Sequence, residues 1–340
     1  MQQSKIFDIN SETDFIKISL EIFQYQFQNN KVYQRFCELL KKTPKNVFTL
    51  TDIPFLPIEF FKSHQILSED KPAEITFTSS GTTGSKTSKH LVTNLGIYED
   101  SFTKTFEQFY GATEDLTILA LLPSYLEREG SSLIYMAQHL IQRSKQKESG
   151  FYLHNLGELK EKLIDLDKSG KKILLIGVSF ALLDLIENHQ FQLKNTIVME
   201  TGGMKGRRKE MIREELHNVL SKGFGVSTIH SEYGMTELLS QAYSKGNGAF
   251  ECPSWMKILI RDPEDAFSSV KKGKTGGINV IDLANINSCS FIATQDLGKI
   301  NEDNSVEILG RFDNSDIRGC NLLGKILRCF PRTLRGIAFG

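Results

Sequence analysis

Residues 78–86 read TSSGTTGSK, a run of hydroxyl side chains with two glycines and one lysine. Glycines let a backbone approach a ligand closely, and successive N–H groups with serine and threonine hydroxyls can wrap phosphate oxygens. The run differs from the nucleotide-binding GxxxxGK[ST] pattern, because Gly81 and Gly84 are three apart and Lys86 follows only two later. It is therefore either a phosphate-binding loop or a polar surface turn.

Further polar segments follow this run in order along the chain. They are TIVMETGGMKGRRKE, VSTIHSEYGMTELLSQAY, FIATQDLGKI and GRFDNSDIRGC. The paired glycines of the first segment leave room for a flat ligand against the backbone. The side chains or glycines that could bind a ligand in these segments are Gly202, Gly203, His230, Tyr233, Gly234, Thr236, Glu237, Asp296, Arg311 and Cys320.

The elements around these segments predict an α/β fold. From residue 73 onward, short apolar runs typical of buried strands alternate with amphipathic helical stretches, which indicates a sheet that is at least partly parallel. The predicted strands are EITF, LTILALL, KKILLIGVS, NTIVME and VSTIH, and the predicted helices are 98–109, 133–141, 180–186 and 211–220. The TSSGTTGSK run thus follows a strand and precedes a helix.

The two ends of the chain have different patterns. Apolar residues recur at helical spacing over residues 13–41, whereas the two prolines of TDIPFLPIEFFKSH favour extended chain. After residue 250 the strands MKILIR, GINVID, CSFIAT and SVEILG predict a small β subdomain.

Composition excludes several classes of protein. The 340 residues are 40% apolar and 24% charged with a formal net charge of zero, so bulk charge suggests no nucleic-acid or anionic-membrane partner. The N-terminus lacks the order of a signal peptide, and no apolar run is long enough to span a bilayer. We therefore expect a cytoplasmic protein. Five cysteines without a CxxC pair argue against both a disulfide framework and a structural zinc site.

Taken in order, these segments resemble the adenylate-forming superfamily of acyl and aryl ligases. They match its phosphate loop, GG turn, YGxTE segment, T-x-D-L segment and GRxD hinge, over roughly residues 73–320. The doubled serine of TSSGTTG and the end of the chain soon after RGCNLL resemble the LuxE-type acyl-protein synthetases. The resemblance implies an N-terminal ligase domain with mixed or parallel sheets, flanking helices and a small β subdomain, and a truncated C-terminal mobile domain.

It also implies a division of the chain into domains. Residues 1–310 would form the AMP-binding core, with an N-terminal helical segment at about 1–70, and residues 311–340 a short remnant carrying the acyl-acceptor cysteine. The implied activity joins a carboxylic acid, with a fatty acid as the expected substrate, to the α-phosphate of ATP. The acyl group then passes to a cysteine thioester and on to a partner such as a fatty-acid reductase or a carrier.

The resemblance assigns a role to each candidate residue. The β- and γ-phosphates of ATP would be bound by Lys86 and by the loop residues Ser79, Ser80, Gly81, Thr82, Thr83 and Gly84. Glu237 would bind Mg²⁺, Thr236 the α-phosphate and Asp296 the ribose hydroxyls. Tyr233 and Gly234 belong to the nucleotide-binding segment, with Tyr233 stacked on the adenine that Gly202 and Gly203 line. Arg311 would lie near the ribose or phosphates. His230 is either a contact to the acyl carboxylate or a structural histidine.

Cys320 matches the family's acyl-carrying cysteine, and the neighbouring Arg318 and Arg311 would favour its thiolate. Cys329, in KILRCFPR, is the competing candidate.

Two features depart from the pattern of the superfamily. The catalytic lysine of larger ligases has no counterpart, so adenylation must rely on Lys86, Lys89 or a residue from a partner. The usual TGD reads TQD around Asp296. An acyl-CoA ligase of phenylacetate type and a non-catalytic nucleotide- or acyl-binding subunit therefore stay open as alternatives.

Overall fold

The computed structural model describes residues 3–79, 87–123, 130–153, 155–202, 211–265 and 267–311. The chain forms two compact units. Unit 1 contains Met1–Ser101, Thr236–Ser240 and Cys252–Gly340, and unit 2 contains Phe102–Met235 and Gln241–Glu251. The predicted boundary between a core and a remnant at residues 310 and 311 stays a prediction, since residues 312–340 lie outside the described part.

The described residues contain the following regular elements. The helices are α1 (Glu12–Asn29), α2 (Lys31–Leu39), α3 (Phe60–Ser63), α4 (Leu95–Tyr110), α5 (Ser132–Ser144), α6 (Leu156–Lys168), α7 (Ser179–Glu187) and α8 (Arg213–Phe224). The strands are β1 (Leu56–Pro57), β2 (Ile75–Thr78), β3 (Lys89–Val92), β4 (Thr117–Leu121), β5 (Gly150–Tyr152), β6 (Ile173–Val178), β7 (Thr196–Thr201), β8 (His230–Tyr233), β9 (Ala242–Ser244), β10 (Ala249–Glu251), β11 (Met256–Arg261), β12 (Gly276–Asp282), β13 (Phe291–Ile300) and β14 (Val306–Arg311). Short 3₁₀ turns lie at Gln3–Ile6, Leu50–Asp52, Thr113–Asp115 and Leu283–Asn285.

The N-terminal helices of unit 1 begin where the sequence supplies caps. The Ser11 hydroxyl accepts from the Asp14 amide at the start of α1, and the Asn30 side chain accepts from the Tyr33 amide at the start of α2. The predicted helix over 13–41 is thus two helices, because Asn30 is extended and caps the second. Gln26 of α1 donates to the carbonyl of Asn285, which fastens this helix to the chain between β12 and β13.

The strands of unit 1 are mainly antiparallel. β11, β12, β13 and β14 pair in that order, which confirms the strands predicted after residue 250. β1 pairs in parallel with β13, so a segment from the N-terminal part of the chain joins these C-terminal strands. The prediction of extended chain for TDIPFLPIEFFKSH is wrong at residues 60–63, because both prolines precede the turn of α3 and leave its backbone N–H groups intact.

A two-stranded hairpin in unit 1 flanks the TSSGTTGSK run. β2 and β3 are antiparallel, with Thr78 opposite Lys89. The expectation that the run precedes a helix is wrong, since β3 follows it and α4 comes only afterwards. The two strands of a hairpin therefore flank the run and hold both of its ends.

Unit 2 is built on a largely parallel sheet. Its strand order is β5, β4, β6, β7, β8, β9, β10, with parallel pairing from β5 to β8 and antiparallel pairing beyond. β4 and β6 are buried along their whole length, as their apolar sequences predict. The predicted strand VSTIH is wrong in its bounds, because Gly225 ends α8 in the left-handed region (φ 68°) and the pairing with β7 begins only at His230.

No helix in the described part of the chain combines the length and the apolar character that crossing a membrane would require.

Candidate active site

The hairpin fixes the ends of the hydroxyl-rich loop through two serines. The Ser79 amide donates to the Ser88 carbonyl at 3.1 Å, and the Ser88 amide donates to the Ser79 hydroxyl at 2.9 Å. These bonds close the loop one residue beyond each strand. Ser79 is thus placed by the structure, whereas Ser80, Gly81, Thr82, Thr83, Gly84 and Lys86 lie outside the described residues.

Glu237 is a buried carboxyl group in unit 1, with a relative exposure of 5%. Burial raises its pKa, while a hydrogen bond from the Ser88 side chain and the charges of Arg311 and Lys62 act in the opposite direction. The Ser88 that closes the loop therefore also bonds the carboxyl group predicted to bind Mg²⁺. This contact brings the end of the predicted phosphate loop and the predicted metal ligand together.

Buried side chains hold the segment Thr236–Ser240 in place. The Nδ1 atom of His90 lies 2.8 Å from the Thr236 carbonyl, and the Asn285 amide donates to the Glu237 carbonyl at 2.7 Å. Burial lowers the pKa of His90 to about 4, so the ring is neutral at pH 7 and its Nδ1–H donates to the carbonyl. The backbone on either side of the Glu237 side chain is thereby fixed.

Asp282, at the end of β12, fastens the far end of the same segment. Its carboxylate accepts from the amides of Leu239 at 2.7 Å and Ser240 at 3.0 Å. It also accepts from the Ser240 hydroxyl at 2.6 Å and the Ala284 amide at 3.2 Å. A fully buried carboxylate with this many donors is a structural anchor for the segment that carries Thr236 and Glu237.

Asp296 and Arg311 are neighbours because β13 and β14 pair with these two residues opposite each other. The Arg311 Nε atom lies 3.5 Å from the Asp296 carboxylate, and the Arg311 side chain is 79% exposed. Asp296 lies within β13, beside an irregularity at Leu297 and Gly298, because this strand continues beyond the predicted strand CSFIAT. A fixed carboxylate beside an exposed guanidinium suits a ribose hydroxyl and a phosphate respectively.

Gly202 follows β7 in unit 2 with a φ of 67°, a conformation that a side chain would strain. Its carbonyl accepts from the Ser179 hydroxyl at 2.8 Å. Gly202 therefore has the left-handed backbone that glycine favours, at the position of the predicted GG turn. Gly203 lies outside the described residues.

Tyr233 ends β8, and Gly234 follows it. The ring of Tyr233 is buried and meets Phe250 edge-on, with centroids 6.2 Å apart. A Cβ atom on Gly234 would lie 2.4 Å from a carboxylate oxygen of Glu232, so a larger residue there would displace the Glu232 side chain. Glu232 is not among the residues predicted for the site; its burial and its proximity to Glu200 raise its pKa to about 7.

His230 lies at the start of β8 among aromatic side chains. The Tyr110 hydroxyl is 3.3 Å from its Nδ1 atom, and burial, with the charges of Lys245 and His217, lowers the pKa of His230 to about 4. The ring is therefore neutral at pH 7. Its surroundings are compatible with either role that the sequence left open.

The described cysteines divide into buried and partly exposed thiols. Cys37 and Cys289 are fully buried, and burial raises the pKa of both, that of Cys289 to about 12. Neither is a nucleophile at neutral pH. Cys252 is partly exposed, while Cys320 and Cys329 lie outside the described residues.

Several residues of this site could not be identified from sequence motifs. Ser88, His90 and Asp282 carry no motif of their own, and their importance comes from bonds to Thr236–Ser240 across long separations in the chain. Gln295, the departure from the TGD pattern, donates to the carboxylate of Glu59. The departure thus has a structural partner in the segment between β1 and α3.

The fold is that of the adenylate-forming ligases. A 2-hydroxyisobutyryl-CoA ligase in complex with 2-HIB-AMP and CoA superposes with a TM-score of 0.68 at 13% identity, over 89% of this chain and 75% of that one. ATP-bound MatB from Rhodopseudomonas palustris gives a TM-score of 0.53 at 18% identity, over 82% of this chain and 56% of that one.

The sequence places the chain within this class. Residues 3–102 and 135–325 match the family "Acyl-protein synthetase, LuxE", and the chain belongs to that family. A long-chain-fatty-acid–luciferin-component ligase from Vibrio harveyi is 25% identical over 328 residues, covering 88% of this chain and 84% of the relative. The resemblance stated from the motifs is thereby confirmed. The chain is an AMP-forming ligase that activates an acid with ATP and transfers the acyl group.

Proposed function

We propose that this ligase activates a long-chain fatty acid as its acyl-AMP and passes the acyl group through a cysteine of its own to a protein acceptor. The Vibrio harveyi relative is named for joining a long-chain fatty acid to a luciferin component, which supports a long-chain fatty acid as the substrate. A reductase or a carrier that accepts a thioester-bound acyl group fits this chemistry. The cytoplasmic location expected from the sequence stays a prediction.

The observation that carries the proposal is the contact between the phosphate loop and Glu237. Ser88 closes the loop and bonds the Glu237 carboxyl group, so a triphosphate on the loop would have a carboxylate close by. Magnesium on phosphates takes one or two protein carboxylates and keeps several waters.

The chain's own residues then have distinct tasks. ATP supplies an electrophilic α-phosphorus and pyrophosphate as the leaving group. Glu237 would hold Mg²⁺, Thr236 would bind the α-phosphate, and Asp296 would fix the ribose while Arg311 faces the phosphates. Gly202, Gly203 and Tyr233 keep the predicted adenine role, and Gly234 belongs to the same nucleotide-binding segment. His230 keeps both predicted roles, as a contact to the acid or as a structural histidine.

The acyl transfer step needs a thiolate. The sulfur of Cys320 would attack the carbonyl carbon of the acyl-AMP, and the bond from that carbon to the phosphate oxygen would break to release AMP. Cys37 and Cys289 are buried with raised pKa values, which favours a cysteine elsewhere in the chain.

Exchange of labelled pyrophosphate into ATP tests the proposal. We expect exchange that depends on the acid and on Mg²⁺, and that is strongest with long-chain fatty acids in a panel that includes aryl acids. Discharge of the adenylate by free CoA would redirect the assignment to an acyl-CoA ligase. No exchange with any acid would contradict adenylation and favour a nucleotide- or acyl-binding subunit.

A further inference from the structure

The short helix α3 lies between two parts of the candidate site in unit 1. On one side, β1 pairs with β13 and the Ile58 amide donates to the Ala293 carbonyl at 3.0 Å. The Gln295 side chain then donates to the Glu59 carboxylate. The residue before α3 is thus tied to the residue before Asp296.

The other side of α3 contacts the residue that holds Thr236. The Phe61 ring meets the His90 ring edge-on, with centroids 5.7 Å apart and planes at 86°. His90 in turn donates to the Thr236 carbonyl. Because Phe61 is buried, this contact fixes the orientation of the helical turn. Glu59 is therefore held next to the neighbour of Asp296, and Phe61 is held next to the histidine that bonds Thr236.

Lys62 follows on this anchored turn, and its side chain is exposed. Its positive charge acts on two carboxyl groups, Glu59 and Glu237, whose pKa values burial raises and the lysine lowers. Lys62 adjoins Phe61, whose ring contacts the His90 that donates to the Thr236 carbonyl, and Thr236 precedes Glu237 in the chain. The lysine thus belongs to the same cluster of contacts as the carboxyl group, where its charge can meet a bound anion. No motif marks this lysine, since it comes from a segment read as extended chain.

The charges in this part of unit 1 show what such a cation would do. Three carboxyl groups, Glu59, Glu237 and Asp296, repel a triphosphate unless cations offset them. Arg311, at Asp296, is one such cation and Lys62 is another. We infer that Lys62 contacts the phosphates of the nucleotide and so adds a catalytic residue to the reaction proposed above, on which this inference rests.

Calorimetric titration of MgATP into Lys62→Ala, Lys62→Arg and wild-type protein tests this role. Charge-assisted hydrogen bonds are strong enough that we expect Lys62→Ala to raise the Kd for MgATP roughly 10-fold to 100-fold. Lys62→Arg should recover most of the affinity, because it keeps the charge. Lys17→Ala, at an exposed lysine of α1 in the same unit, is the matched control and should leave the Kd unchanged.

Two further measurements separate this role from the alternatives. Thermal unfolding of Lys62→Ala without nucleotide should match wild type, because the side chain is exposed; a large loss would indicate a structural role and overturn the inference. If wild-type protein bound MgATP and Lys62→Ala bound it with the same Kd, the role of Lys62 would be overturned and the proposed function would stand. A wild-type chain that bound no MgATP would overturn this inference together with the proposed function.

Discussion

Glu232 is a buried carboxyl group whose surroundings oppose its ionisation. Burial and the charge of Glu200 raise its pKa from 4.5 to about 7, although the Thr201 hydroxyl donates to it at 2.5 Å. Glu200 itself has a lowered pKa, because bonds and charges from His217 and Arg213 outweigh its burial. Two neighbouring carboxyl groups of unit 2 thus differ in charge at pH 6.

This arrangement predicts a pH dependence of stability. Between pH 4.5 and about 7 the folded protein keeps a proton on Glu232 that the unfolded chain has lost, so this group's contribution to stability falls as pH rises. Glu232→Gln cannot ionise, and its free energy of unfolding should therefore gain up to about 3 kcal/mol relative to wild type on going from pH 5 to pH 8. Urea unfolding across this pH range measures the difference.

The matched control is Glu214→Gln, at an exposed glutamate of α8. Its free energy of unfolding should differ from that of wild type by less than about 0.5 kcal/mol, because the side chain is exposed. A Glu232→Gln variant that also tracked wild type at every pH would show that Glu232 ionises normally in the folded protein.

At the scale of elements, Asp282 connects β12 to the segment that carries Thr236 and Glu237. Asp282→Ala would leave the amides of Leu239 and Ser240 buried without an acceptor. We expect a loss of roughly 2 kcal/mol or more in the free energy of unfolding, together with a higher KM for MgATP as the segment loosens. Urea unfolding and steady-state exchange kinetics measure the two effects.

Asp303→Ala is a suitable comparison, because Asp303 also accepts from an amide and a hydroxyl but is exposed in a turn. Water replaces its bonds, so its loss of stability should be much smaller. Equal stability losses in the two variants would show that the Asp282 bonds do not anchor the segment Thr236–Ser240.

At the scale of the whole molecule, the five cysteines should differ in their capacity to carry an acyl group. After incubation with labelled fatty acid and MgATP, we expect a hydroxylamine-labile label on the peptide containing Cys320 and none on Cys37 or Cys289. The buried thiols are protonated at neutral pH and closed to substrate. Mass spectrometry of the digested protein locates the label.

Cys320→Ser should abolish this label, and Cys329→Ser should keep it. Loss of the label in Cys329→Ser alone would assign the thioester to Cys329. Retention in both variants would contradict an acyl-enzyme on either cysteine while leaving adenylation intact.

The sequence alone predicted much of the regular structure and the family. Continuous apolar runs such as those of β4 and β6 identify buried strands because the signal lies within a few adjacent residues. The motifs around Gly202, Tyr233, Glu237, Asp296 and Arg311 identify the family because their residue types and order are fixed by one chemistry. The bounds of the elements were predicted less accurately. The strand VSTIH was predicted from residue 226, whereas β8 begins at His230, where its pairing with β7 begins.

The tertiary structure decided what the motifs contact. Pairing of β13 with β14 sets Arg311 beside Asp296, and pairing of β1 with β13 brings Glu59 to Gln295 and Lys62 to the same part of unit 1. His90 and Asp282 hold Thr236–Ser240 over separations of 146 and 43 residues. Residue type and local order therefore determined the class of chemistry, whereas strand register and burial determined which side chains support it, because contacts between distant segments leave no local pattern in the sequence.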